Sequence, residues 1–282
     1  MIEIKDQNFA GERPLFGSHD LRIENVTIES GESALKEGSN ITALNCVFSG
    51  KYPFWHIDGF HIKNCKFTPG ARAALWYSKG LVMEDTVVDA PKMFRRMYDI
   101  KLRNVTFSDA QETFWDTASV SLEDVKVEHG DYLFMNSHDL TIKNLHLNGN
   151  YSFQNCRNVT IENSELNTKD AFWESENVTV INSTINGEYL GWHSKNLRLV
   201  NCRISGTQPL CYAENLIMEN CTMATDADLA FEYSSVNATI NSEITSVKNP
   251  LSGSIKAKGY GLIIIDNFKK EPADCDISIL KS

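Results

Sequence analysis

Three charged side chains, Arg96, Asp116 and Glu174, are the candidates for catalysis in this sequence. A carboxylate can serve as a general acid or base, and a guanidinium can stabilise developing negative charge. Each follows a bulky residue, in Arg95-Arg96, Trp115-Asp116 and Trp173-Glu174. The alternative interpretation of Arg96 and Asp116 is a cross-strand salt bridge with no catalytic role.

The five tryptophans are the candidates for binding a substrate. A tryptophan offers a broad apolar ring face and one N–H donor, which suits it to stack against a sugar ring. Two of the five precede a histidine and one precedes a tyrosine, and both residue types can contribute hydrogen bonds. The predicted substrate-binding residues are Trp55, Trp76, Trp115, Trp173, Trp192, His56, His193 and Tyr77.

An asparagine or aspartate that recurs every 19 to 21 residues indicates how these side chains are positioned. A period near twenty is typical of a solenoid. Asparagine tolerates the left-handed backbone region and supplies a turn, and stacked asparagines can bond to one another in a ladder. The twelve markers are Asn25, Asn45, Asn64, Asp85, Asn104, Asp124, Asn144, Asn163, Asn182, Asn201, Asn220 and Asn241.

The pattern around each marker predicts short strands. Residues alternate between apolar and polar before it, as in Leu197-Arg-Leu-Val-Asn201, and the apolar residue three positions after it begins a second strand. An apolar row ten positions before the markers predicts a third strand, with Gly191 as its exception. We therefore predict an all-β parallel β-helix of about twelve coils over residues 21–246, with caps at 1–20 and 247–282.

The coil sequences resemble those of the pectin-lyase-like β-helix superfamily. Asn158-Val-Thr-Ile-Glu-Asn163 and Asn177-Val-Thr-Val-Ile-Asn182 carry the resemblance, which covers roughly residues 12 to 246 and is strongest to a bacterial family of uncharacterised function. It implies a single-stranded, right-handed parallel β-helix. The pectinase motifs Gly-His-Gly and Arg-Ile-Lys do not occur in this sequence.

All five tryptophans fall in one row, nine positions before the markers, which we call the tryptophan row. The pattern leaves its direction open. Outward, it forms an aromatic strip along one face; inward, it fills a corner of the core. The row that follows it contains His56, Tyr77, Arg96, Asp116 and Glu174 and is too polar to lie wholly inside.

The coil spacing limits which candidates can act together. Asp116 and Glu174 lie three coils apart, ~14 Å, which exceeds the separation of glycosidase carboxylate pairs. His56 and His193 lie seven coils apart and cannot share a metal ion. The cysteines that follow markers 45, 64, 201 and 220 are interpreted as small core residues. No metal site and no cofactor are predicted.

Composition excludes several classes of function. The chain has 282 residues, 42% hydrophobic content and a net charge of -10, which argues against a nucleic-acid partner, and no apolar stretch is long enough to span a membrane. With no leader pattern at Met1 and an odd count of seven cysteines, we expect a cytoplasmic protein.

The leading hypothesis for function is binding or processing of a carbohydrate along the tryptophan row. An enzyme of this kind would be a hydrolase or a lyase, and its partner would be an oligosaccharide. The alternative is a non-catalytic scaffold that uses the same face to contact a protein or a second copy of itself.

Overall fold

The computed structural model, which describes residues 1–266 and 274–280, is a right-handed parallel β-helix. It divides into two units, Met1–His146 and Leu147–Ser282. The only helical segment in these ranges is a single 3₁₀ turn at Pro69–Ala71, and no helix there is long and apolar enough to cross a membrane. The predicted fold class is confirmed.

The strands of the first unit follow one another at the period of the repeat. They are β1 (Ile2–Lys5), β2 (Asn8–Glu12), β3 (His19–Glu24), β4 (Thr27–Glu32), β5 (Ser39–Leu44), β6 (Val47–Phe48), β7 (Asp58–Lys63), β8 (Lys66–Phe67), β9 (Lys79–Val88), β10 (Tyr98–Phe107), β11 (Ala118–Val127) and β12 (His138–Asn148), which runs two residues past the division.

The second unit continues the same arrangement. Its strands are β13 (Arg157–Glu162), β14 (Glu165–Asn167), β15 (Glu176–Ile181), β16 (Thr184–Asn186), β17 (Lys195–Val200), β18 (Arg203–Ser205), β19 (Leu216–Met223), β20 (Ser235–Lys248), β21 (Ser252–Ile264) and β22 (Asp274–Ile279).

Each strand pairs in parallel with the equivalent strand of the next coil. Val105 of β10 aligns with Thr86 of β9 on one side and with Val125 of β11 on the other, and all three are buried. This register aligns equivalent residues of successive coils in rows, with neighbours in one row ~4.8 Å apart. The rows read from the sequence depend on this alignment.

The asparagine markers form the turns that the sequence predicts. Eleven of the twelve have positive φ angles between 50° and 56°, and Asn241 is the exception. Their side chains bond from coil to coil: the Asn45 amide donates to Asn25 Oδ1 at 3.2 Å, and the Asn64 amide donates to Asn45 Oδ1 at 2.7 Å. Where it forms, the ladder satisfies side-chain groups that would otherwise rely on water.

The apolar row before the tryptophans forms the centre of the core. Phe94, Phe114 and Phe134 are fully buried, with ring centroids of successive pairs 4.6 Å and 4.5 Å apart. This third side of the coil is turn-rich rather than a regular strand, because these phenylalanines have φ between 53° and 59°. Backbone bonds still link the coils there, as from Phe114 N–H to the Met93 carbonyl at 3.1 Å.

Regular pairing extends into the segments predicted as caps, whose boundaries stay a prediction. At the start, Ile2 aligns with Leu21, and Asp6 occupies the marker position, where it accepts a hydrogen bond from the Asn25 amide at 2.9 Å. Near the end, β21 pairs along β20, and β22 pairs with the first part of β21. Residues 267–273 of the predicted C-terminal cap lie outside the described residues, as do residues 281 and 282.

Candidate functional site

The tryptophan row lies on the outer surface, which answers the question that the sequence leaves open. All five tryptophans are half-buried, whereas the preceding row is buried and the following row is mostly exposed. Residues of the following row adopt the left-handed conformation, with φ of 57° at Tyr77 and 53° at Glu174. The chain therefore turns a corner immediately after each tryptophan.

In the first unit five aromatic residues and one arginine of the surface form what we call the first aromatic cluster: Tyr52, Trp55, Trp76, Tyr77, Arg95 and Trp115. Trp55 and Trp76 stack almost in parallel, with centroids 5.3 Å apart and an interplanar angle of 10°. Their indole N–H groups donate to backbone carbonyls, Trp55 to Ala73 at 2.6 Å and Trp76 to Lys92 at 2.7 Å. Each indole is thus held by stacking and by a hydrogen bond.

Arg95 completes this cluster by inserting its guanidinium between two indoles. The guanidinium carbon lies 4.9 Å from the Trp76 ring centroid and 4.2 Å from that of Trp115. Glu112 anchors the group with a 2.5 Å ion pair. Although burial opposes ionisation of Glu112, hydrogen bonds from Arg95 and Lys92 hold the pKa of its carboxyl below the usual value.

In the second unit the second aromatic cluster consists of Trp173, Tyr189, Trp192, His193, Tyr212 and Tyr233. Its two indoles, Trp173 and Trp192, meet at a wider angle than Trp55 and Trp76, with centroids 5.5 Å apart and an interplanar angle of 34°, and Tyr189 meets Trp192 edge-on at 5.3 Å. The Trp192 indole N–H donates to the Gln208 carbonyl at 2.8 Å. The two indoles do not form a parallel stack.

The three predicted catalytic residues are exposed, and their catalytic role stays a prediction. Asp116 accepts a hydrogen bond from the Asn136 amide at 3.3 Å, and Arg96 lies over the Tyr77 ring at 5.8 Å. The salt bridge between Arg96 and Asp116, considered as the alternative interpretation, is not among the ion pairs of the described residues; each side chain has a different neighbour. Glu174 belongs to the other unit, where its backbone N–H bonds to the Trp192 carbonyl at 3.0 Å.

The two predicted histidines lie beside aromatic rings. His56 packs against Tyr77 at 5.3 Å, and its Nδ1 lies 3.6 Å from Oε1 of Glu37. His193 stacks on Tyr212 at 4.8 Å and 14°. Each histidine thus presents an imidazole at the rim of one aromatic cluster, where it can hydrogen-bond to a ligand.

The paired cysteines lie in the core as interpreted. Cys46 and Cys65 are buried free thiols, and the Cys46 backbone N–H donates to Cys65 Sγ at 3.3 Å. The contact with Cys46, followed by burial, raises the pKa of Cys65 far above its usual value. Among the described residues no group of three or more histidine, cysteine or acidic side chains is arranged to hold a metal ion.

A polar cluster on the strand face of the first unit is missing from the sequence predictions. The His61 imidazole lies 3.2 Å from Glu84 Oε2, Lys63 Nζ lies 3.6 Å from the same oxygen, and Arg103 pairs with the other oxygen. Hydrogen bonds from Arg103 and His61 lower the pKa of Glu84. Lys63, Glu84 and Arg103 share one row of the repeat, so alternation of charge along that row was the available signal. Each of the three basic side chains pairs with the Glu84 carboxylate.

Comparison with known proteins identifies the family. A family model described as a protein of unknown function, DUF3737, matches residues 2–278. No significant match to a curated protein was found. Similar solved structures include the A-module of the mannuronan C-5 epimerase AlgE4 of Azotobacter vinelandii, at 9% identity and a TM-score of 0.43, covering 85% of this chain and 91% of that one.

A second similar structure is the surface protein and adhesin PfbA of Streptococcus pneumoniae. It has 9% identity and a TM-score of 0.44, covering 99% of this chain and 91% of that one. Both structures are parallel β-helix proteins. At these scores neither similarity carries an inference about what this chain binds.

Proposed function

Because the chain belongs to the DUF3737 family, whose description assigns no function, we propose from the surface itself that this protein binds a carbohydrate along its tryptophan row. The observation that supports the proposal is the outward direction of all five tryptophans, each beside a polar or aromatic residue of the following row. Aromatic rings with hydrogen-bonding groups at their rim suit the alternating apolar faces and hydroxyls of a sugar.

The two aromatic clusters would contact a sugar differently. Trp76 has Trp55 on one side and Arg95 on the other, so its ring faces are already occupied. In the first cluster the contacts therefore fall to Tyr77, which is 42% exposed, and to His56 beside it. Arg96 and Asp116 lie at the rim as further hydrogen-bonding groups.

In the second cluster the two indoles are not stacked in parallel, so the faces and the edges of their rings both contribute. The exposed His193 and the half-buried Tyr212 form one edge of this cluster, and Glu174 lies beside Trp173 in the sequence. The arrangement is preorganised, since the indole N–H of Trp192 is fixed to a backbone carbonyl. Preorganised rings lose little conformational entropy when they bind a ligand.

The test is a titration with oligosaccharides of neutral, amino-bearing and uronic type, followed by tryptophan fluorescence and by calorimetry. We expect at least one class to bind and to change the tryptophan emission. Y77A or Y212A should weaken binding, whereas Y98A, which removes a 52% exposed tyrosine of β10 outside both clusters, should leave it unchanged. Absence of binding across the panel would contradict the proposal.

A second candidate, a structural or self-associating scaffold, is favoured by one observation. In the first cluster the two faces of the Trp76 ring are covered by Trp55 and Arg95. The charge of Arg95 is paired with that of Glu112. Sedimentation velocity over a hundredfold concentration range distinguishes the two candidates. A dimer that dissociates in the Y77A variant and ignores every sugar would support the scaffold.

A further inference from the structure

Strand β21 carries an open, apolar edge over its second half. β22 pairs with β21 only from Ser252 to Ala257, and beyond Ala257 the backbone of no described residue pairs with that side of β21. Three large apolar side chains are exposed there within four positions: Leu262 at 64%, Ile263 at 49% and Ile265 at 54%. No other four-residue stretch of the described chain exposes three. An exposed, apolar strand edge is a template for pairing with another chain.

The backbone groups of this edge point away from β20. The Ile264 carbonyl accepts the N–H of Asn249, which directly follows β20, at 2.9 Å, so the polar groups of Ile264 face β20. Because the N–H and C=O groups of successive strand residues point to opposite sides, those of Gly261 and Ile263 face the open side. In the monomer they are left to water. The edge therefore offers donors and acceptors as well as apolar side chains.

The sequence of this edge is complementary to itself in an antiparallel pair. From Lys258 to Asp266 it reads Lys-Gly-Tyr-Gly-Leu-Ile-Ile-Ile-Asp. When two copies pair with Leu262 opposite Leu262, Lys258 of each copy lies opposite Asp266 of the other. In the same register Gly261 meets Ile263, and these are the residues whose backbone groups face the open side. A shift by two residues in either direction separates both Lys258–Asp266 pairs.

Lys258 and Asp266 are available for this contact. Both are exposed, and Lys258 makes no ion pair with any described residue. Asp266 Oδ1 accepts a hydrogen bond from the Asn249 amide at 2.8 Å, and no described residue bonds to Oδ2. The Lys248 ammonium, which the Asp266 carboxylate also influences, is paired with Glu232 at 2.9 Å. One oxygen thus holds Asp266 in place while the other can accept a bond from an ammonium group.

We infer that this edge is a dimer interface, in which residues 258–266 of two copies pair as antiparallel strands about a two-fold axis at Leu262. The inference goes beyond the proposed function, because the surface lies outside both aromatic clusters. The pairing joins β21 of two molecules into one sheet, covers the exposed leucine and isoleucines, and brings opposite charges together at each end. One strand from each copy is a small interface, so we expect a weak dimer.

The first experiment measures the dissociation constant of the dimer by sedimentation velocity over a thousandfold range of concentration. K258D places two aspartates opposite each other, and K258D/D266K restores opposite charges in exchanged positions. L262D puts two carboxylates at the centre of the pair. K256D is the matched control, because Lys256 is exposed on the same strand but aligns with Ser278 of β22 rather than with the open edge. Circular dichroism checks the folding of each variant.

We expect the wild type to dimerise, K258D and L262D to weaken the dimer at least tenfold, and K256D to leave it unchanged. K258D/D266K should recover most of the affinity that K258D loses, and a folded double variant without this recovery would overturn the register. A wild type that stays monomeric, or a dimer that L262D leaves intact, would overturn the interface. So would a dimer that dissociates only in Y77A, because the contact would then lie on the first aromatic cluster.

A second experiment tests the two-fold axis by cross-linking. Opposite residues of a non-hydrogen-bonded antiparallel pair have Cα atoms ~4.5 Å apart, within the range of about 4.4–6.8 Å that a disulfide spans. L262C should therefore form a disulfide-linked dimer when oxidised glutathione accepts the two electrons and two protons. I279C, at a 58% exposed position of β22, and the wild type, whose seven cysteines are free thiols, should not. Equal cross-linking of L262C and I279C would overturn the axis at Leu262.

Discussion

Replacement of the marker Asn45 tests whether the asparagines are required for the turn, for the ladder or for both. Asn45 has φ 54° and makes two ladder bonds, donating to Asn25 and accepting from Asn64. An alanine in the left-handed region costs about 1 kcal/mol or more, and each exposed ladder bond contributes about 0.5–1 kcal/mol. N45A should therefore lower the free energy of unfolding by about 2–3 kcal/mol.

Two further substitutions separate the roles. N45G removes both bonds but keeps the turn at no steric cost, so we expect a loss of about 1–2 kcal/mol. N45D keeps the acceptor for Asn64 and should lose about 0.5–1 kcal/mol, because aspartate already occupies this position at Asp85 and Asp124. The expected order of stability is wild type, N45D, N45G, N45A.

The assay is urea unfolding followed by far-UV circular dichroism, with N241A as the matched control. Asn241 is the marker whose φ is not positive, so its replacement should change stability by less than about 0.5 kcal/mol. If N45G unfolds as readily as N45A, the left-handed turn at residue 45 contributes nothing to the free energy of unfolding. If N241A is as destabilised as N45A, the left-handed conformation is not the reason that asparagine recurs.

Three more predictions concern the core, the first aromatic cluster and the buried Asp170. F114A should destabilise the fold by about 3–5 kcal/mol in urea unfolding, because the phenyl ring is fully buried between Phe94 and Phe134; a loss under 1 kcal/mol would contradict the packing. R95M should shift tryptophan emission and raise the pKa of Glu112, measured by NMR titration, because the guanidinium that stabilises the carboxylate is removed; an unchanged pKa would refute the contact. D170N should raise the melting temperature at pH 7. Burial raises the folded-state pKa of Asp170, so its carboxylate destabilises the fold above the ordinary value of 3.8, and the advantage of D170N should disappear below it; an advantage independent of pH would contradict this account.

The sequence predicts the fold because the same pattern of apolar residues and a marker asparagine or aspartate recurs in every coil. The row of Asn25, Asn45 and Asn64 predicts both the left-handed turn and the ladder, since one side chain carries both properties. A second ladder runs at the same period through Asn158, Asn177 and Asn196, and the row of markers does not predict it.

The side-chain contacts on the surface are less predictable than the fold. The rows of equivalent positions show which residues are neighbours, but they do not show in which direction each side chain points. That Arg95 would insert between Trp76 and Trp115 depends on ring angles and on the ion pair with Glu112, none of which a row contains. The same limit applies to Arg96 and Asp116, which adjoin in the row but turn to different partners.

The most direct test of carbohydrate binding is a crystal structure of the protein with the oligosaccharide that binds it best in solution. The account predicts sugar density against the first or the second aromatic cluster, at Tyr77 and His56 or at His193 and Tyr212. Sugar bound only on a face remote from all five tryptophans, or no ordered sugar at saturating concentration, would contradict it.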